Sequence, residues 1–149
     1  MAMIYRAMFA SGSKPLIGSS NKTLGIRSPT DAAPGVEPDI APDATGRVHP
    51  GTGGMSVGPR LVDLPAFLVP RRLKMVVPRA AGSAKLMVWA MGSGSFAPGP
   101  IAPGLVLRLD PARPTKHGFV EPDRIMTLEE YRQAIEATQN LWALDEVIP

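Results

Sequence analysis

The chain has no cysteine. Disulfides and thiolate-bound metals are therefore excluded, and nothing in it calls for an oxidising compartment. Histidine is scarce: His49 and His117 are the only two, and neither stands at a spacing from carboxylates that builds a zinc or two-metal site. No metal cofactor is expected. No apolar run approaches the ~20 residues of a membrane helix. Near the start, Arg6 interrupts a stretch shorter than the apolar core of a secretory signal. A cytoplasmic place of action is expected, with no membrane partner and with any export needing no cleaved leader.

Glycine and proline are abundant instead, 15 and 17 among 149 residues. That total stays below the ~25–30% at which composition alone argues disorder. It predicts many turns and little continuous helix. The length fits one domain over residues 1–149. The net charge of +3 is unevenly placed. Residues 60–85 carry Arg60, Arg71, Arg72, Lys74, Arg79 and Lys85 against Asp63, whereas residues 121–149 are rich in Asp and Glu. The basic middle suits an anionic ligand or partner, or is a solvated loop beside an acidic helix.

Residues 3–9 read as a strand closed by Ser11-Gly12-Ser13, with Arg6 its only charge. A buried Arg there needs a partner or an anion. Residues 11–59 show no lasting period and are expected to be ordered wrapping loops. Strands are expected at 55–57, 73–77, 85–91, 105–109 and 119–121, and a rigid connector at 98–104. Thr127 and Glu130 form a capping-box pattern, with Met126 and Tyr131 at the staple positions. Leu128, Tyr131, Ile135, Thr138 and Trp142 then follow one face of a helix. Several strands with one good helix predict an α+β domain.

Two motifs fail on context. Gly-Met-Ser-Val-Gly, residues 54–58, has the letters of a nucleophile elbow, but that motif needs a strand, a sharp turn and a following helix, and here Pro59 comes almost at once with Pro65 and Pro70 after it. Gly51-Thr52-Gly53-Gly54 lacks the Gly-Lys-Thr ending of a phosphate loop. Three pieces remain: Tyr5-Arg6-Ala7 on the first strand, Gly53-Gly54-Met55-Ser56-Val57 on a middle strand, and the 117–122 segment His-Gly-Phe-Val-Glu-Pro on a late one.

This order of Arg, Ser and Glu resembles the Arg–Ser–Glu class of ADP-ribosyltransferases. More closely, the chain resembles the small type VI secretion effector toxins with an ADP-ribosyltransferase-like fold. Tyr5-Arg6-Ala7-Met8-Phe9, Pro34-Gly35-Val36, Pro38-Asp39-Ile40, residues 52–57, His117, Met126 and Trp142 match that family's features in order. Met55 stands where the family has Thr, and residues between Val57 and Leu105 have no counterpart.

The resemblance implies a mostly antiparallel split sheet and a toxin that cleaves the nicotinamide–ribose bond of NAD. The product ADP-ribose would pass to a cellular target or to water. NAD is then a substrate, and a cognate immunity protein or antitoxin is an implied partner. Arg6 would anchor a phosphate or ribose oxygen. Gly54, Met55, Ser56 and Val57 would line the nicotinamide end, with Ser56 positioning the catalytic carboxylate. Glu121 would offset positive charge on the ribose, and His117 is the other candidate for that third role. Each residue also has a structural reading: an ion pair for Arg6, a turn or cap for Ser56, a solvated strand end for Glu121 and a turn for His117. An RNA 2′-phosphotransferase-like enzyme and a non-catalytic binding module are the alternatives.

Overall fold

The computed structural model describes residues 2–146. Apolar residues on both sides of Arg6 favour extended chain, and β1 (Ile4–Ser11) pairs antiparallel, over Ile4 to Phe9, with β5 (Leu86–Met91). β10 (Ala143–Leu144) flanks β5, and β2 (Lys14–Pro15) folds back on β1, giving the order β10–β5–β1–β2. A second antiparallel sheet has the order β4 (Met55–Val57), β8 (Gly118–Pro122), β7 (Leu105–Leu109), β6 (Gly99–Ala102). A short pair, β3 (Arg47–Val48) with β9 (Met126–Thr127), leads into α1 (Leu128–Glu136). Among the described residues this is the one α-helix. The fold class is α+β, with mostly antiparallel sheets and a helix near the C-terminus.

The two sheets meet where Tyr5 and Gly58 exchange main-chain hydrogen bonds of 2.7 and 3.0 Å. The strand period of two sends Ile4, Arg6 and Met8 to one face of β1 and Tyr5 and Ala7 to the other. Ile4 and Met8 join the main core with Trp89, Met55, Val57, Leu107, Val120, Tyr131 and Ile135. Each such buried side chain contributes roughly 1.5–3 kcal/mol. Leu24, Ile26 and Ile40 reach the same core from the 16–46 segment, which carries no strand or helix. The wrapping loop is thus held by its apolar side chains. On the opposite face of the first sheet, Ala7 and Val88 pack with Leu61, Leu64 and Val69 from the 60–85 segment.

Three expectations are corrected. The helix ends at Glu136, so Thr138 and Trp142, though buried, lie beyond it on either side of a 3-10 turn at Gln139–Leu141. Residues 73–77 form no strand: a 3-10 turn at Arg71–Leu73 continues into turns closed by bonds from Leu73 N to Pro70 O and from Val77 N to Leu73 O. The run between Pro70 and Pro78 closes on itself through these turns, and Leu73, Val76 and Val77 pack against the second cluster. Residues 98–104 hold β6, not merely a rigid connector. Pro100 is tolerated because β6 is an edge strand, and the register shifts beside it. The capping box is formed in full, with Thr127 Oγ1 accepting from Glu130 N at 3.1 Å and Thr127 N donating to Glu130 Oε1 at 3.0 Å.

Candidate functional site

Arg6 is buried on the inner face of β1, opposite Trp89. Its partners are carbonyl oxygens, not a carboxylate. Nε donates to Thr23 O at 3.1 Å, and one terminal nitrogen donates to Ser56 O at 2.7 Å. The other reaches Thr23 O at 2.9 Å, Ser20 O at 3.2 Å and Gly25 O at 3.3 Å. The planar fork thereby ties β1 to the 20–25 turn and to β4. Burial pushes the guanidinium down to about 10, with nearby Asp39 pulling the other way. Arg6 stays cationic at neutral pH and presents positive charge at the seam between the sheets. The structural reading of an ion pair is therefore replaced by a carbonyl cradle.

A cleft of about 160 Å³ opens at that seam. Arg6, Ser56, Val57 and Gly58 line it from β1 and the end of β4, and His117 lines it from the turn before β8. Arg27, Arg113 and Lys116 add positive charge, and Asp39 and Asp63 add negative charge. Phe67, Leu64 and Leu68 form an apolar wall. Arg27 is braced by Asp39, whose carboxylate accepts from Arg27 N at 2.8 Å and from its guanidinium at 3.4 Å. The Arg27 Nε is buried without a hydrogen-bond partner. The cleft is smaller than the ~300–1,000 Å³ of sites that enclose a whole drug-sized ligand.

The register of the second sheet puts several polar side chains on one face. Ser56 lies opposite Phe119, which lies opposite Arg108. Two residues along β8, Glu121 shares that face. Glu121 is buried, not a solvated strand end: its Oε2 accepts from Arg108 Nε at 2.8 Å and from Gly51 N at 2.9 Å. Arg108 also sits over the Phe119 ring, 4.7 Å from its centroid. Glu121 is not among the residues lining the cleft. In the other direction His117 packs edge-on against Phe119, with ring centroids 4.8 Å apart. Its Nδ1 is 2.8 Å from Asp110 Oδ2. That bond, before the Ala112 amide, holds the Asp110 carboxyl below the usual carboxylate range.

The Gly53–Val57 segment divides between packing and site. A Cβ on Gly53 would stand 2.2 Å from Asp39 O, and one on Gly54 2.5 Å from Val120 O, so both glycines serve close backbone approach. The Gly54 amide donates to Asp39 O at 3.0 Å and the Met55 amide to the Tyr131 hydroxyl at 3.2 Å. Neither amide is left for a ligand here, and the Met55 side chain lies in the core. Ser56 and Val57 are the members of the segment that line the cleft.

The structure therefore brings Arg6, Ser56, Val57 and His117 to one cleft and sets Glu121, Gly54 and Met55 outside its lining. Sequence reasoning missed Arg27, Arg113, Lys116 and Asp110. Only Asp110 carried a usable signal: once β7 and β8 are read as a hairpin, 110 and 117 are the first pair beyond Leu109↔Gly118. No metal-holding group of His, Asp and Glu occurs among the described residues. No helix among them is long and apolar enough to cross a membrane. No protein-family model matches the chain, nor does any curated protein.

Proposed function

We propose that the protein cleaves the nicotinamide–ribose bond of NAD and passes ADP-ribose to an acceptor, as a cytotoxin of the ADP-ribosyltransferase-like kind. The observation that carries this reading is the meeting of Arg6, Ser56 and His117 in one cationic cleft, although they lie on separate segments of the chain. Cleavage of that bond builds positive charge on the ribose and needs the dinucleotide held still. The cleft would take the nicotinamide–ribose end. Arg27, Arg113 and Lys116 at its wall suit the diphosphate. Arg6 supports the site by fixing β4 through Ser56 O, and Ser56 offers its hydroxyl to a ribose oxygen. His117 is the favoured third member, because Glu121 is engaged by Arg108 and Gly51.

The test is nicotinamide release from NAD by the purified protein. Ser56→Ala and His117→Ala should each lower turnover at least ~100-fold, the usual scale for removing an acid–base or oxyanion-type group. Expression in cells should arrest growth and deplete NAD, and both effects should vanish with His117→Ala. NAD binding without turnover would replace this reading with a binding module. Turnover only with RNA carrying a 2′-phosphate would replace it with the phosphotransferase reading. A neutralising immunity protein is the partner this function would require.

A further inference from the structure

We propose that Asp110 is a positioning residue for His117, fixing the ring as the Nδ1–H tautomer so that Nε2 serves as the proton acceptor in the cleft. This role rests, for its chemistry, on the reading of the site as an NAD-cleaving one. Asp110 follows β7 and His117 precedes β8, so the hairpin register brings the two face to face. The main chain locks the pair from behind, with Asp110 N donating to His117 O at 2.9 Å. The carboxylate accepts only, so with the ring neutral its 2.8 Å contact to Nδ1 requires the proton to be on Nδ1. Nε2 is then the nitrogen with a free lone pair, on a ring that lines the cleft.

The surroundings of the ring are compatible with this arrangement. Phe119 packs edge-on against it, with ring centroids 4.8 Å apart. Arg108 is drawn away over the Phe119 ring and to Glu121, so it does not compete for Asp110. The other charged groups near the ring are Arg113 and Lys116 of its own turn and, across the cleft, Arg6, Arg27, Asp39 and Asp63.

The step balances without a further reagent. The oxygen of water or of an acceptor hydroxyl bonds to the ribose anomeric carbon as its proton passes to Nε2. The bond from that carbon to the nicotinamide nitrogen breaks, and its electron pair leaves with neutral nicotinamide. The positive charge that NAD carried on the ring ends as the proton on His117, beside Asp110.

The deciding experiment reads the His117 ring directly, by long-range proton–nitrogen correlation on uniformly ¹⁵N-labelled protein at a pH where the ring is neutral. Asp110→Asn is the variant of choice, because its side-chain oxygen can still accept from Ala112 N, as Asp110 Oδ1 does at 2.9 Å. A thermal melt checks that the fold is kept. Expected are a dominant Nδ1–H form in the wild type, a switch to a dominant Nε2–H form in Asp110→Asn, whose amide NH2 then faces Nδ1, and a fall in kcat of at least ~10-fold with KM little changed. Asp110→Glu should restore the Nδ1–H form at least in part. An unchanged tautomer in Asp110→Asn overturns the proposal. So does a shifted tautomer with kcat unaltered. A wild-type protein that releases no nicotinamide defeats the reading of the site as NAD-cleaving, and the tautomer readout then still decides whether Asp110 sets the ring.

Discussion

Burying a guanidinium ordinarily calls for a carboxylate bonded to it, and Arg6 has none: carbonyl oxygens of Thr23, Ser56, Ser20 and Gly25 take its donors instead. The guanidinium therefore keeps its full positive charge at the cleft while the chain around it is fixed. A substitution here acts on both roles, and the two are separable by chemistry. Arg6→Met fills similar space but leaves those carbonyls without donors, at ~1–3 kcal/mol for each that stays buried and unpaired. We expect a loss of ~3 kcal/mol or more in unfolding free energy, read from urea denaturation. Arg6→Lys keeps the charge but has a compact head with no fork to span carbonyls from two segments, so it should recover only part of that loss. Equal stability of wild type and Arg6→Met would mean that the carbonyl cradle contributes nothing. The charge of Arg6 was visible in the sequence as a lone cation in an apolar strand. Its partners were not, because carbonyls carry no residue-type signature.

At the scale of elements, α1 governs the site strand from a distance. Its capping box fixes where the helix starts, and the helix then delivers Tyr131 to the gap between β4 and β8. There the Tyr131 hydroxyl accepts from Met55 N and donates to Val120 O, bridging the two strands beside the Gly54 close approach. Burial raises the Tyr131 hydroxyl well above the ordinary tyrosine range, so it stays protonated and able to donate. Tyr131→Phe removes that bridge and leaves a buried amide and carbonyl unpaired, an expected cost of ~1–3 kcal/mol in denaturant unfolding. Faster amide exchange at Met55 should accompany it, and unaltered exchange there would show the bridge to be dispensable. The helix was legible because its cap and its apolar face follow fixed spacings, and β1, β4, β5, β7 and β8 because apolar residues gather between turn signals. Residues 73–77 misled for the opposite reason: an apolar run between prolines does not reveal whether it pairs or packs. β6 was hidden because Pro100 belongs in a strand only at a sheet edge, and edges are set by tertiary order. Of the cleft, Arg6, Ser56 and His117 were recognisable by motif, whereas Arg27, Arg113 and Lys116 come from aperiodic loops that only folding brings together.

Across the whole molecule, much of the chain is loop, there is no disulfide, and residues 16–46 hold no strand or helix. Carboxylates are the repeated device that fixes these loops. Asp31 accepts from Ser28 N at 3.0 Å, from Ser28 Oγ at 2.8 Å and from Arg132 of α1 at 2.7 Å, pinning the wrapping loop to the helix. Asp43 accepts from His49 at 2.7 Å and from the amides of Thr45 and Arg47. Asp110 holds the β7–β8 turn, and Glu130 closes the helix cap. All four carboxyls are pushed below their ordinary values: the Ser28 amide leads for Asp31, the His49 bond for Asp43, the His117 bond for Asp110 and the Thr127 amide for Glu130. Ordinary values are 3.8 for Asp and 4.5 for Glu, and folding lowers them, so the unfolded chain takes up protons first as pH falls. The stabilisation is complete above about pH 5 and is lost progressively below it. Urea midpoints should therefore be level from pH 7 to about pH 5 as far as these four groups decide, and should drop between about pH 5 and pH 2. Asp31→Asn should lower the midpoint at pH 7 and flatten the acid limb, because the variant has already lost what the wild type loses on protonation. A variant whose acid limb is as steep as that of the wild type would show that the Asp31 contacts to Ser28 and Arg132 do not hold the wrapping loop to α1.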